Sequence, residues 1–194
     1  MRELSLPANQ HFFSVPQLKK MGYTYYYINK MVEKGMLTKI NKSTYENMEF
    51  EGESSDYSYL NIVAPNAVVC LMSAARFYNL TTYLPDTIDI AIESSMKIST
   101  LPEWPDFRVY YFSKERYEKG VTTANDGTVD FKIYDMEKTV ADILSYRNKL
   151  GIEETKEVLH SYLGKKERNL NKLHRYVASL GVEPILRTYL EVLL

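Results

Sequence analysis

Hydrophobic positions repeat along this chain with two different periods. Behind Ser14, the apolar residues Val15, Leu18 and Met21 recur at helical spacing, and Gly22 closes the stretch. Ser14 is suited to cap that helix, with Pro16 in its first turn, where a missing N–H costs nothing. A second helix is expected after Thr24, burying Tyr25, Ile28, Met31 and Val32 and stopping at Gly35. The period then shortens to two. Met36–Ile40 and Thr44–Met48 read as short strands around the turn Asn41-Lys42-Ser43. Two short helices joined through a glycine and followed by a hairpin have the pattern of a winged helix-turn-helix, predicted over residues 1–50.

Residues 51–60 open with the polar, aperiodic run Glu51-Gly52-Glu53-Ser54-Ser55-Asp56 and read as a linker. From 61 to 194 a larger α+β domain is expected. Asn66 to Tyr78 is apolar nearly all round and predicts a buried helix. Thr87 to Glu93 alternates as a half-buried strand, with Ile88, Ile90 and Ile92 on one side and Asp89, Ala91 and Glu93 on the other. Arg108 to Phe112 is a further strand, and Val121 to Ala124 with Thr128 to Tyr134 forms a hairpin around Asn125-Asp126-Gly127. Helical spacing then returns. Asp135 caps a helix burying Val140, Ile143 and Leu144; Ile152–Leu163 buries Val158, Leu159 and Tyr162; Leu170–Leu180 repeats at 170, 173, 177 and 180; Pro184 opens a last helix. The fold expected is α+β: a winged helix-turn-helix, then a small, mostly antiparallel sheet and a C-terminal helical bundle.

Composition adds little to this, but charge adds more. With 45% hydrophobic and 25% charged residues the chain is an ordinary core-forming one. Its net charge of −1 is unevenly spread: +3 over residues 1–50, −6 over 51–106 and +2 over 107–194. A basic head therefore adjoins an acidic middle. Cys70 is the sole cysteine and His11, His160 and His174 are scattered, so neither a disulfide nor a metal or other cofactor is expected. No apolar run nears the roughly 20 residues of a membrane span, and Met1–Gln10 lacks a signal-peptide pattern. The expected setting is cytoplasmic, with no membrane partner.

The second helix carries the chemistry that points to a partner. Tyr26, Tyr27, Asn29, Lys30 and Lys34 face away from its predicted core, and the hairpin adds Lys39 and Lys42. Tyrosine, asparagine and lysine donate to phosphates and base edges, and a recognition helix presents such residues to the major groove. Double-stranded DNA is the expected partner. An alternative is that Tyr25-Tyr26-Tyr27 packs a small domain and the lysines are solvated, leaving a scaffold that binds protein or RNA. A second basic run, Lys165, Lys166, Arg168, Lys172 and Arg175, is either a solvated face or an extension of the phosphate track.

The runs Phe13-Ser14-Val15-Pro16-Gln17-Leu18 and Ile28-Asn29-Lys30-Met31-Val32-Glu33-Lys34-Gly35-Met36-Leu37, followed by Tyr45, resemble the N-terminal domain of AbiEi-type antitoxins. These are the repressor partners in abortive-infection toxin–antitoxin operons. Ala64–Leu80 and the segment Glu137-Lys138-Thr139…Asp142-Ile143-Leu144 continue the likeness in the same order. Two features depart from it. The hairpin turn is Asn41-Lys42-Ser43 where the family often has a basic residue followed by glycine, and Pro7 interrupts the stretch where a first helix is usual. The resemblance implies operator binding at inverted repeats and repression of the chain's own operon. It also implies type IV antagonism, without a stable complex, of a nucleotidyltransferase toxin.

Signals of catalysis are weak, and no enzyme is expected. There is no phosphate-binding glycine loop and no nucleophile–histidine arrangement of known spacing. Asp126, Asp130 and Lys132 are the best candidates for a metal-dependent nuclease, but they fall in a turn and on the outer side of a strand. Glu137, Lys138 and Asp142 read as first-turn charges and a surface or hydrogen-bonding residue.

Overall fold

The computed structural model describes residues 4–98, 101–102 and 104–193. Among the described residues the chain mixes α and β structure, with nine helices and two sheets. It divides into two units: one within Met1–Pro65, Ile98–Trp104 and Asp126–Val129, the other within Asn66–Lys97, Pro105–Asn125 and Asp130–Leu194.

The first unit runs β1 (Phe12–Ser14), α1 (Val15–Lys20), α2 (Tyr25–Glu33), β2 (Leu37–Lys39), β3 (Thr44–Asn47) and α3 (Asp56–Val63). Ser14 ends β1 and starts α1. Its hydroxyl accepts from the Gln17 N–H, while its own N–H donates to the Gln17 side chain at 2.8 Å. Both helices end on a left-handed glycine, Gly22 at φ 84° and Gly35 at φ 72°. This lets Tyr23 N donate to Leu18 O and Met36 N donate to Met31 O, satisfying carbonyls that would otherwise be orphaned. The strands pair antiparallel in the order β1-β3-β2. Phe13, Val15, Leu18, Tyr23, Ile28, Met31, Leu37 and Tyr45 fill the core.

In this unit the stretch that Pro7 interrupts is accounted for, and two expectations change. Residues 4–10 form no helix; Leu4 and Leu6 instead lie on the core, and the Tyr23 hydroxyl donates to Ser5 O at 2.6 Å. Asn47 Nδ2 donates to the carbonyls of Pro7 and Gln10, fastening the segment from the other side. The inward stripe of α2 is also rotated from the expected one. Tyr25 and Val32 are exposed, whereas Tyr27 packs against the core. Finally, the stretch read as a linker is partly helical. Ser55 caps α3, which buries Tyr59 and Leu60.

The second unit runs β4 (Val68–Val69), α4 (Leu71–Phe77), β5 (Ile88–Glu93), β6 (Phe107–Phe112), α5 (Lys114–Glu118), β7 (Val121–Asn125), β8 (Asp130–Tyr134), α6 (Met136–Leu150), α7 (Ile152–Gly164), α8 (Leu170–Ser179) and α9 (Glu183–Leu193). Its sheet has the order β6-β5-β4-β8-β7. The β6/β5 and β4/β8 pairs are parallel, while β5/β4 and β8/β7 are antiparallel, so the sheet is mixed and not mostly antiparallel. Within Asn66–Tyr78 the residues 67–75 are buried, but the stretch is not one helix. The β-branched pair Val68-Val69 enters the sheet centre between β5 and β8, and only Leu71–Phe77 is helical. Asp89 and Ala91 are buried along with Ile90 and Ile92, so β5 is covered on both sides and not half-buried. In α8, Leu173 and Val177 are buried but Leu170 is exposed.

Helix α6 is the spine of this unit and packs against α4, α7 and α8. Asp135 accepts from the Lys138 N–H at its start. Glu137 and Lys138, read as first-turn charges, are buried, and Asp142, read as a surface or hydrogen-bonding residue, is buried and hydrogen-bonded. Glu137 accepts from Asn169 N at 3.0 Å and from the Tyr162 hydroxyl at 3.3 Å, tying α6 to α7 and α8. Lys138 and Asp142 form an ion pair that Arg116 joins, its guanidinium 2.8 Å from Asp142 Oδ1. Arg116 lies over the Phe112 ring at 4.3 Å and the Tyr146 ring at 4.9 Å.

Asp89 makes stability depend on pH. Burial, opposed by the Arg108 charge and hydrogen bonds from Met72 and Ser73, pushes its carboxyl up to about 6 from 3.8. Its raised value means the folded chain holds a proton that the unfolded chain releases. The associated stability is complete below pH 4 and is lost as pH rises through 6. That shift amounts to about 3 kcal/mol. Urea unfolding of Asp89→Asn should lack this fall between pH 4 and 7; an unchanged slope would place its origin elsewhere.

Candidate nucleic-acid interface

The exposed face of the first unit begins on α2. Starting that helix at Tyr25 leaves Tyr25 55% and Tyr26 67% exposed. Asn29 and Lys34 are exposed and Lys30 is half-buried. Two lysines lie over the tyrosines. Lys19 Nζ is 4.3 Å from the centre of the Tyr25 ring, and Lys30 Nζ is 6.0 Å from that of Tyr26. An aromatic ring beneath an ammonium holds its long side chain in a preferred place without neutralising it. Aromatic and cationic groups thus alternate over the last turn of α1 and the first turns of α2.

The β2–β3 hairpin supplies the second element. Asn41 Oδ1 accepts from both the N–H and the hydroxyl of Ser43, at 2.9 and 3.2 Å. This side-chain turn shapes the tip without a glycine. Val15 N donates to Ser43 O at 2.8 Å, so the tip is also bound to the start of α1. Lys39 and Lys42 are exposed beside it. Glu46, on β3, is partly sequestered: its carboxylate is 3.0 Å from His11 Nε2 and accepts from the Tyr59 hydroxyl.

Of the residues expected to meet a partner, Tyr26, Asn29, Lys30, Lys34, Lys39 and Lys42 all lie on the surface of this unit. Tyr27 does not belong with them, since it packs against the core. Lys19, Lys20 and Tyr25 are additions. Both lysines were legible as basic residues in the last turn of α1, but their proximity to α2 depends on the turn at Gly22.

The basic run of the second unit is less uniform than its sequence. Lys166, Arg168 and Arg175 are exposed, and Arg168 donates to Lys165 O at 2.7 Å. Lys172 does not provide a free cation. Its Nζ lies 3.2 Å from Asp135 and 3.6 Å from Glu137, so its charge is balanced by the start of α6. A groove of about 380 Å³ beside it is lined by Lys119, Lys172, Arg175, Tyr176 and Ser179. Lys119 is itself 2.6 Å from Glu115.

Asp126 accepts from the N–H groups of Thr128 and Val129, which makes it the shaping residue of its turn. Asp130 accepts from Asn125 Nδ2 at 2.7 Å. Among the described residues, no group of three or more His, Cys, Asp or Glu side chains is placed to hold a metal ion. Among the described residues, no helix is long and apolar enough to cross a membrane. No protein-family model matches the chain, and neither does any curated protein.

Proposed function

We propose that residues 4–50 form a winged helix-turn-helix that binds double-stranded DNA, and that the chain is a transcriptional repressor. The observation that carries this reading is the pairing of exposed Tyr25, Tyr26 and Asn29 on α2 with lysines on α1, α2 and the hairpin. In such a module α2 enters the major groove, where Tyr26 and Asn29 reach base edges. Lys19, Lys20, Lys39 and Lys42 meet the flanking phosphates. One recognition helix per chain means that an inverted repeat is read by two chains.

Three ordered segments resembling AbiEi-type antitoxins support a narrower reading. The chain then represses its own operon and its second unit antagonises a nucleotidyltransferase toxin without a lasting complex. The expected setting is the cytoplasm. Exposed Lys166, Arg168 and Arg175 supply an auxiliary phosphate contact. Exposed tyrosines favour a second reading, because they also stack on the bases of single-stranded RNA.

Fluorescence anisotropy with labelled duplex DNA and single-stranded RNA, repeated across salt concentrations, separates the two. Duplex binding should weaken with a log–log slope near 0.9 for each phosphate neutralised, several in all. Preference for the RNA, or no salt dependence, would overturn the repressor reading.

A further inference from the structure

One edge of the sheet in the second unit is open. Among the described residues, β6 is the last strand on its side and pairs with β5 alone. In a parallel pair, alternate residues turn both backbone groups toward the neighbour. Ile88 N donates to Asp106 O and Ser94 N to Phe112 O, which fixes the alternation. Arg108, Tyr110 and Phe112 therefore bond to β5, while the N–H and C=O of Val109 and Tyr111 point away from it. An open edge is a template for another strand, and proteins usually blunt it with lysine, proline or a bulge. Phe107-Arg108-Val109-Tyr110-Tyr111-Phe112 has no lysine or proline, and its register is unbroken. Its aromatic and β-branched residues suit a strand, and Tyr111 is 58% exposed. The opposite edge, β7, is instead mostly polar, with Thr122, Thr123 and Asn125.

We propose that β6 pairs antiparallel with β6 of a second copy of this chain, around a two-fold axis at Tyr110. Val109 then faces Tyr111 of the second copy, and the two such pairs exchange four backbone hydrogen bonds. The contact is the same patch on both copies, as a two-fold axis requires.

Charge favours a second copy over an unrelated strand. In this register Arg108 falls opposite Phe112 of the second copy, whose own register partner on β5 is Glu93. Residues at paired positions leave the same face of a sheet, so Arg108 and Glu93 of the second copy lie two strand spacings apart, about 10 Å between backbones, with their side chains on one face. Among the described residues, neither is held in a salt bridge within 4.0 Å in its own chain. Arg108 is exposed, and Glu93 is half-buried and accepts from the Ser95 hydroxyl. The axis makes this pairing twice and keeps the two Arg108 side chains four residues apart along the strands. The pairing rests on the repressor reading only for its use, which is to bring two first units to one inverted repeat. The association itself needs no DNA.

Sedimentation equilibrium of the full chain without DNA tests this. The wild-type chain should pass from monomer to dimer with a dissociation constant on the order of 10 μM, as a small, transient interface does. Tyr111→Lys, at an exposed position, should weaken association at least about tenfold by placing a charge on the edge. Arg108→Glu and Glu93→Arg should each weaken it too, since each sets like charges across the axis. An equimolar mixture of those two variants should restore it, because each chain then meets the opposite charge in the other. Within one chain the two residues lie four positions apart along the sheet, so this rescue reads a contact between chains. If a charge variant fails to fold, Tyr111→Lys carries the decision. A wild-type chain still monomeric at about 200 μM, association unchanged in Tyr111→Lys, or a mixture of folded charge variants no tighter than its components would overturn the pairing. None of these results involves DNA, so failure here and failure of the repressor reading are told apart.

Discussion

Asp142→Ala should cost the second unit about 3–5 kcal/mol. The reason is what the change leaves behind. Lys138, 1% exposed, would keep its charge inside the core without a carboxylate. Burial already pushes the Lys138 ammonium down and the Asp142 carboxyl up, so each charge is tolerated only through the other and through Arg116. Replacing both partners by apolar residues, Lys138→Met with Asp142→Leu, removes the buried charges together. That double variant should regain most of the loss, since Arg116 is 18% exposed and can turn toward water. Urea denaturation of the single and double variants checks this. Equal destabilisation would mean that packing volume, not charge, governs the site.

The second large effect is expected on the proposed DNA binding. Replacing Lys19, Lys30 and Lys42 with alanine removes one cation each from α1, α2 and the hairpin tip. If each neutralises a phosphate, affinity at physiological salt should fall about a hundredfold and the salt slope should shrink by about 2.7. All three lie outside the buried core, so the urea midpoint should barely move. Anisotropy on duplex DNA reads the affinity. Unchanged affinity with an unchanged slope would place the contact surface elsewhere.

The sequence made the elements of the first unit legible because each boundary has a local chemical cause. Ser14 and Pro16 start α1, and Gly22 and Gly35 end the two helices. The rotation of α2 is not a local property. It is set by tertiary packing, which puts Tyr27 and not Tyr25 or Val32 against the core. Strand β1 escaped notice because three residues show no period, and it forms only by pairing with β3. Val68-Val69 read as helix because a strand buried on both faces has no alternation to reveal it.

The candidate sites divide in the same way. Lys34, Lys39 and Lys42 are exposed and Lys30 half-buried, and all four could be placed from periodicity alone. Lys172 could not, because the carboxylates that balance it belong to Asp135 and Glu137 at the start of another helix. Whether Asp142 is a surface or a hydrogen-bonding residue was not legible, because Arg116 joins it from 26 residues away.

The most direct measurement is the affinity of the full chain for a duplex taken from just upstream of its own reading frame, against the same bases shuffled. An operator-reading winged helix should bind the upstream duplex at least about a thousandfold more tightly at physiological salt, with protection over two half-sites. Equal affinity for the two duplexes, or no binding to either, would contradict it.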